Sequence, residues 1–294
     1  MTNAAFTPPR RIALTYNPAS EGARDLAVQL RDDALKRSLD AWIVDDNDEA
    51  SSFTGADLAI VLGGDGSVLR GARLLIGTKT VILGINLGRL GFLAELGGEQ
   101  AREGLARVLD GAGRIEERTM IKAMVNRTGD VFHGLNEAVI GRATLSRAIQ
   151  LAVDVDSTRI ADYRCDGVIV ASASGSTAYA LSVGGPVLYP ESSDLVIVPV
   201  APHLSAQHAL VLPGTESVHV TLEPGQQAVL SVDGESDFQL QEGDSVVLGA
   251  SEYHARFLRL KPSTDFYVRM ASQLGWHRPG GNARPLPPAT SSQA

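Results

Sequence analysis

At 294 residues, with 44% apolar and 20% charged side chains, the chain has the make-up of a globular protein with one large domain or two ordinary ones. Its net charge of −8 and its scarcity of lysine argue against a nucleic-acid partner, because phosphate backbones select basic surfaces. A single Cys165 excludes an intrachain disulfide and fits a reducing, cytoplasmic setting; residues 1–10 lack the apolar stretch of a secretory leader, and no apolar run of about 18 residues offers a membrane span.

Along the first third, strand and helix signals alternate. Residues 12–16 form a short apolar run that Asn17-Pro18 stops, and Leu26, Leu30, Ala34 and Leu35 recur at helical spacing through residues 21–38. Residues 42–44, 58–62 and 81–85 read as buried strands, with a helix after the second. This alternation predicts a doubly wound parallel α/β domain over residues 1–117. Near Glu117 the pattern changes. Residues 120–125, the turn Arg127-Thr128-Gly129-Asp130 and the run from Val131 predict a hairpin. Ile149, Leu151, Val153 and Val155 alternate at the strand period, and the runs 195–200, 218–222, 228–232, 246–248 and 256–260 repeat the signal between turns such as Pro224-Gly225 and Asp233-Gly234. Residues 118–261 therefore predict an all-β, sandwich-like domain. From Pro279 the chain is rich in Pro, Gly, Ala and Ser and predicts a disordered tail over 279–294.

Gly63-Gly64-Asp65-Gly66-Ser67 is the most informative segment. It follows a strand and opens a helix with Val68, Leu69, Ala72 and Leu75 on one side. Backbone N–H groups at a helix start attract anions, and glycines let a phosphate approach the backbone closely. An aspartate there repels phosphate unless it holds a metal or accepts a proton, and both jobs belong to phosphoryl transfer. The plainer reading is a tight turn in which Asp65 caps its helix. A second turn, Gly88-Arg89-Leu90-Gly91-Phe92, follows the strand at 81–85 and is expected beside the first at the carboxyl edge of the sheet, with Phe92 as a possible pocket wall. The chain has no Gly-Lys pair for a Walker A loop, no G-x-G-x-x-G and no nucleophile elbow. His203 and His208 are not spaced as metal ligands.

The glycine loop resembles the GGDG[T/S] element shared by NAD kinases, diacylglycerol-type lipid kinases and phosphofructokinases. Leu135-Asn136-Glu137, the long stretch from Asp166 through Gly175-Ser176-Thr177-Ala178-Tyr179 to Pro186, Val198-Pro199-Val200-Ala201-Pro202-His203, Phe266-Tyr267 and Leu274-Gly275-Trp276 are similar, in order, to NAD kinase landmarks. The resemblance runs from about Asn17 to Trp276. It implies a kinase that phosphorylates the adenosine 2′-hydroxyl of NAD, with ATP or polyphosphate as donor and Mg²⁺ or another divalent metal alongside. It implies Asp65 as the base, with Gly63, Gly64, Gly66 and Ser67 forming the phosphate loop. Arg70, Phe92, Asn136, Glu137, Arg147, Arg164, Asp166, Ser174, Glu235 and the run Thr177, Ala178, Tyr179, Ala180, Leu181 and Ser182 would line the dinucleotide site. It further implies a carboxyl-terminal segment, residues 262–278, that returns to the first domain, and a homodimer or homotetramer. The residue types suit these places: Asn offers an adenine edge both donor and acceptor, Glu accepts from sugar hydroxyls, Arg164 brings charge to a pyrophosphate and Tyr179 can stack on a ring.

Three departures fall in the second half. Ser172-Ala173-Ser174 stands where the family has Thr-Pro-Thr, His208-Ala209 where an Arg-Pro pair is usual, and Glu235 where glutamine is common. They leave open a relative that acts on another nucleotide or sugar hydroxyl. A non-catalytic NAD(H)-binding protein is a further reading, against which the retained Asp65 and Gly66 argue. The absence of a basic surface patch disfavours a lipid kinase.

Overall fold

The structure is a computed structural model that describes residues 6–44, 49–88, 91–144, 147–203 and 208–276. Its contacts divide it into a unit ending at Leu260 and a second unit beginning at Lys261. The first unit opens with β1 (Arg11–Tyr16), α1 (Ala23–Lys36), β2 (Asp40–Ile43), β3 (Leu58–Leu62), α2 (Asp65–Leu74), β4 (Val81–Asn86), a short β5 (Leu96–Gly97) and α3 (Ala101–Leu109). Strands β2, β1, β3 and β4 lie side by side and pair in parallel.

Both faces of these strands are covered, which is why the segments read as unbroken apolar runs. Ile12, Leu14, Leu58, Ile60 and Leu62 pack with α1 and α3 through Leu30, Ala34 and Leu105. Ala13, Ala59 and Val61 face the other way, against Val68 and Ala72 of α2. β2 differs from the buried strand expected at 42–44. It is the edge strand, so Trp42 is only half-buried and its indole N–H donates to the Ser52 carbonyl at 3.0 Å. Helix α3 was not anticipated, although Ala101, Leu105 and Val108 mark one buried face.

The chain then becomes almost entirely strand: β6 (Arg114–Val125), β7 (Val131–Gly134), β8 (Glu137–Arg142), β9 (Ile149–Val155), β10 (Thr158–Cys165), β11 (Gly167–Ala171), a single-turn α4 (Tyr179–Ser182), β12 (Leu195–Val200), β13 (Leu210–Leu212), β14 (Val218–Leu222), β15 (Ala228–Val232), β16 (Ser236–Leu240) and β17 (Ser245–Arg259). The hairpin expected around Thr128 is β6–β7, with Met124 opposite Val131. One antiparallel sheet runs β13-β12-β11-β8-β15-β16, and β10-β9-β14-β17 belongs to the other. Their facing side chains, among them Ile121, Ile140, Leu151, Val168, Ile197, Val220, Leu230 and Val246, form one core. Burying each such side chain stabilises the fold by about 1.5–3 kcal/mol relative to exposure.

The fifteen-residue β17 joins the two halves. It is antiparallel to β6 along nearly its whole length and to β14 over its first part, and Phe257 near its end pairs in parallel with Ile82 of β4. The parallel sheet thus continues into one leaf of the sandwich. The fold is the expected parallel α/β half followed by an antiparallel β half. The second unit holds α5 (Asp265–Gln273). Arg89 and Leu90 of the second glycine turn, and the tail from 279, lie outside the described residues.

Candidate functional site

β3 ends at Leu62, and the Gly63 N–H donates to the Ile85 carbonyl at 2.9 Å. Gly63 has φ 154°, and a Cβ there would strike the Ser67 side chain, so only glycine fits. Asp65 is the first residue of α2. Its carboxylate does not cap that helix. It turns instead to the 91–93 segment, where the Phe92 N–H donates to Oδ2 at 2.8 Å and the Leu93 N–H to Oδ1 at 3.2 Å. A Cβ on Gly91 would occupy the position of the Asp65 carboxylate, which explains a glycine with no unusual dihedral. An ionised carboxylate offers about four acceptor sites. Two are used among the described residues, and Asp65 is half-buried.

Asn136 and Glu137 sit where β7 passes into β8, both buried. Asp233 holds this segment: its carboxylate accepts from the N–H groups of Leu135 (2.7 Å), Asn136 (2.8 Å) and Glu137 (3.2 Å). Asp233 and Gly234 have φ of 53° and 72° in the turn between β15 and β16, which aims that carboxylate at the strand end. Burial, and then the neighbouring charge of Asp233, pushes the Glu137 carboxyl up to about 8. Its Oε2 has no hydrogen-bond partner among the described residues.

The departure at Ser172-Ala173-Ser174 is taken up by hydroxyl chemistry. The Ser172 N–H donates to the Asn136 carbonyl at 2.8 Å and its hydroxyl to the Leu135 carbonyl at 2.5 Å. The Gly175 N–H donates back to that hydroxyl at 3.3 Å, and a Cβ on Gly175 would collide with the Asn136 backbone. Ser174 Oγ accepts from Arg118 at 3.2 Å. Arg118 in turn pairs with Glu116, and Glu116 with Arg259, both at 2.9 Å. Arg259 donates to the carbonyl of Leu93 at 2.8 Å. On the opposite side, Glu235 pairs with Arg73 of α2. The contacts form a closed ring: Asp65, the 91–93 segment, the buried charges, Ser174, Asn136, Asp233-Glu235, and back through α2.

The remaining expected residues divide into those the ring includes and those it does not. Arg70, Gly66, Ser67 and Glu235 line a cavity of about 300 Å³ together with Tyr16 and Asn17. Thr177 and Ala178 are half-buried, Tyr179 is 43% exposed and Ser182 is exposed, so this run presents side chains to solvent rather than to the core. Ala180 is the exception: its side chain is buried against Ile169 and Val196, leaving only its backbone for a ligand. Leu181 and Phe92 are half-buried. Glu235, which stands where glutamine is common, pairs with Arg73. Asp166 pairs with Arg142 at 3.1 Å, a partner that sequence reasoning missed. Arg147 is exposed. Arg164 lies on the exposed side of β10 and lines a separate cavity with Gln150, Tyr163 and Glu223. β10 joins the sheet through β9 and β14 at the Ser245–Leu248 end of β17, whereas β3 joins through β4 at Phe257, roughly 30 Å further along that strand, so one chain does not bring Arg164 to Asp65. Cys165 is buried, and burial raises its thiol to about 11, so it is inert. Among the described residues no group of three or more His, Cys, Asp and Glu is placed to hold a metal.

Comparison with known proteins points one way. The family model for the ATP-NAD kinase N-terminal domain matches residues 14–113, and that for the ATP-NAD kinase C-terminal domain matches residues 135–260. The chain is 38% identical to an NAD kinase of Chloroflexus aggregans over 270 residues, covering 90% of this chain and 98% of that one. It is 35% identical over 276 residues to an NAD kinase of Dehalococcoides mccartyi, covering 90% and 96%. Among solved structures, the Archaeoglobus fulgidus NAD kinase in complex with ATP superposes with a TM-score of 0.74 at 25% identity, covering 89% of this chain and 97% of that one. Yeast NADH kinase complexed with NADH shares the fold, with a TM-score of 0.81 at 20% identity over 95% of this chain and 91% of that one.

Proposed function

The chain belongs to the NAD kinase family and phosphorylates NAD with ATP, and from that premise we propose how its residues divide the work. Asp65 takes the proton of the adenosine 2′-hydroxyl as that oxygen attacks the γ-phosphorus. The new O–P bond forms while the bond from the γ-phosphorus to the β–γ bridging oxygen breaks, so ADP leaves and NADP remains. The observation that carries this reading is the aim of Asp65: two backbone N–H groups fix its carboxylate away from its own helix.

The donor's phosphates lie against the glycine loop, where Arg70 and the first N–H groups of α2 offer positive potential. Asn136 and Glu137 take the adenine and ribose, and Tyr179, with the exposed edge of Thr177–Ser182, takes the rest of the dinucleotide. A divalent cation arriving with ATP would neutralise charge on the transferring group. Magnesium is usually held by one or two carboxylates plus substrate phosphates. A lone loop carboxylate suits an ion that arrives with ATP. The protein is further read as cytoplasmic and as a homodimer or homotetramer, which would let Arg164 serve a neighbouring chain's site.

The test is a purified-protein assay with ATP, Mg²⁺ and NAD, following NADP formation. Asp65→Asn is expected to lower turnover about 10²–10⁴-fold at saturating substrates while retaining NAD binding. Wild-type turnover in that variant would remove Asp65 from the role.

A further inference from the structure

The buried charges between the two halves have no place in the chemistry above, and they are costly to keep. Arg259 is 1% exposed, Arg118 4%, Glu116 5% and Glu95 0%. Glu116 Oε1 accepts from both Arg118 and Arg259 at 2.9 Å, and Arg114 reaches its Oε2 at 3.0 Å. Arg259 also reaches Glu95 at 3.4 Å, and Glu95 accepts from the Leu260 N–H at 2.9 Å. Both guanidiniums lie over the Phe257 ring, Arg118 at 5.1 Å and Arg259 at 5.0 Å from its centre. Burial would raise Glu116, but the two arginines overcome it and bring its carboxyl down to about 2. Well-packed apolar residues can often replace such an array without loss of stability. Stability alone therefore does not account for it.

Each end of the array holds a part of the reaction site. At one end, Arg259 donates to the Leu93 carbonyl, and the Leu93 N–H holds Asp65 Oδ1. At the other, Arg118 donates to Ser174 in the segment that packs on Asn136. Both pull on the same carboxylate oxygen. Resting on the NAD kinase reading, we propose that Arg259, Glu116 and Arg118 are positioning residues that fix the Asp65 carboxylate relative to the dinucleotide-binding segment. A guanidinium suits the task because its planar fork reaches Glu116, Glu95 and the Leu93 carbonyl in fixed directions, whereas a lysine ammonium cannot. The two ends have separable effects. Loosening Arg259 misplaces the base, and loosening Arg118 misplaces the acceptor nucleotide.

The assay uses the full chain, with a thermal melt by circular dichroism for every variant. Arg259→Lys is expected to lower kcat about 10–100-fold with both KM values within about threefold of wild type, the scale of a misaligned reacting group. Arg118→Lys is expected to raise the KM for NAD and leave that for ATP unchanged. In an Asp65→Asn background, Arg259→Lys is expected to cost little more, because the base it positions is gone; general damage would cost the same factor in both backgrounds. Glu116→Met/Arg118→Met/Arg259→Met replaces the array with apolar side chains, and it is expected to fold yet turn over slowly. A folded Arg259→Lys or triple variant with wild-type kcat overturns the proposal. So does failure of both to fold, which would make the array structural. Absence of NADP formation by the wild-type chain would instead overturn the functional reading on which the proposal rests.

Discussion

Glu137 holds its proton at neutral pH, because its carboxyl lies near 8 in the free protein. A ribose hydroxyl donates more strongly to the ionised form than to the neutral acid, so the proposed dinucleotide contact favours loss of the proton. The sign follows from linkage: affinity rises as pH climbs toward about 8 and levels off above it. Titrating NAD in the absence of ATP from pH 6 to 9 checks this, and Glu137→Gln should flatten the profile. Gly91 gives a second single-residue prediction. A methyl group there meets the Asp65 carboxylate, so Gly91→Ala should lower kcat with little change in NAD affinity or melting temperature. Asp65 itself stood out in the sequence because a carboxylate among phosphate-binding glycines needs a chemical reason. Gly91 stood out only as part of a turn. The pairing of Glu116 and Arg118 with Arg259 was hidden because Arg259 lies 143 residues beyond Glu116, though Arg114, Glu116 and Arg118 alternate on one strand face in a manner unusual for a buried strand.

Whole elements were legible where their burial is simple. β1, β3 and β4 are covered on both faces and show as apolar runs; β9, β14 and β15 line a core on one face and show as alternation. β2 was overread as buried because its apolar residues sit at an edge. What the sequence did not show is which elements meet. The turn Asp233-Gly234-Glu235 reads as a hairpin connection, yet its two acids anchor the Asn136 segment and α2. Gly175 is another such point, since a Cβ would push the 172–178 turn off Asn136. Gly175→Ala should therefore raise the KM for NAD several-fold more than the KM for ATP, measured in the same steady-state assay.

For the molecule as a whole, charge and edges carry the remaining predictions. An acidic protein that binds two polyanionic nucleotides must concentrate its cations, and Arg70 and Arg73 stand on one helix beside the cavity at the glycine loop. Glu235→Gln frees Arg73, so it should lower the KM for a nucleotide, most clearly at low ionic strength where screening is weak. Edge strand β13 exposes Leu210 and Val211, each 43% accessible, which suits burial against another copy. Light scattering at micromolar protein is expected to report a dimer or tetramer, and a monomer fully active on dilution would count against it.

The position of β17 has a consequence for how the polypeptide is made. β4 pairs along one flank with β3 and meets β5 at the end of the other, but the strand that meets that other flank at Ile82, β17, is not synthesised until residues 245–259. A ribosome working from the amino terminus thus displays an unsealed parallel sheet for most of translation, a state prone to association through its free rim. Nascent chains arrested before residue 245 should be protease-sensitive and chaperone-bound, and extension past Arg259 should give protection in one step.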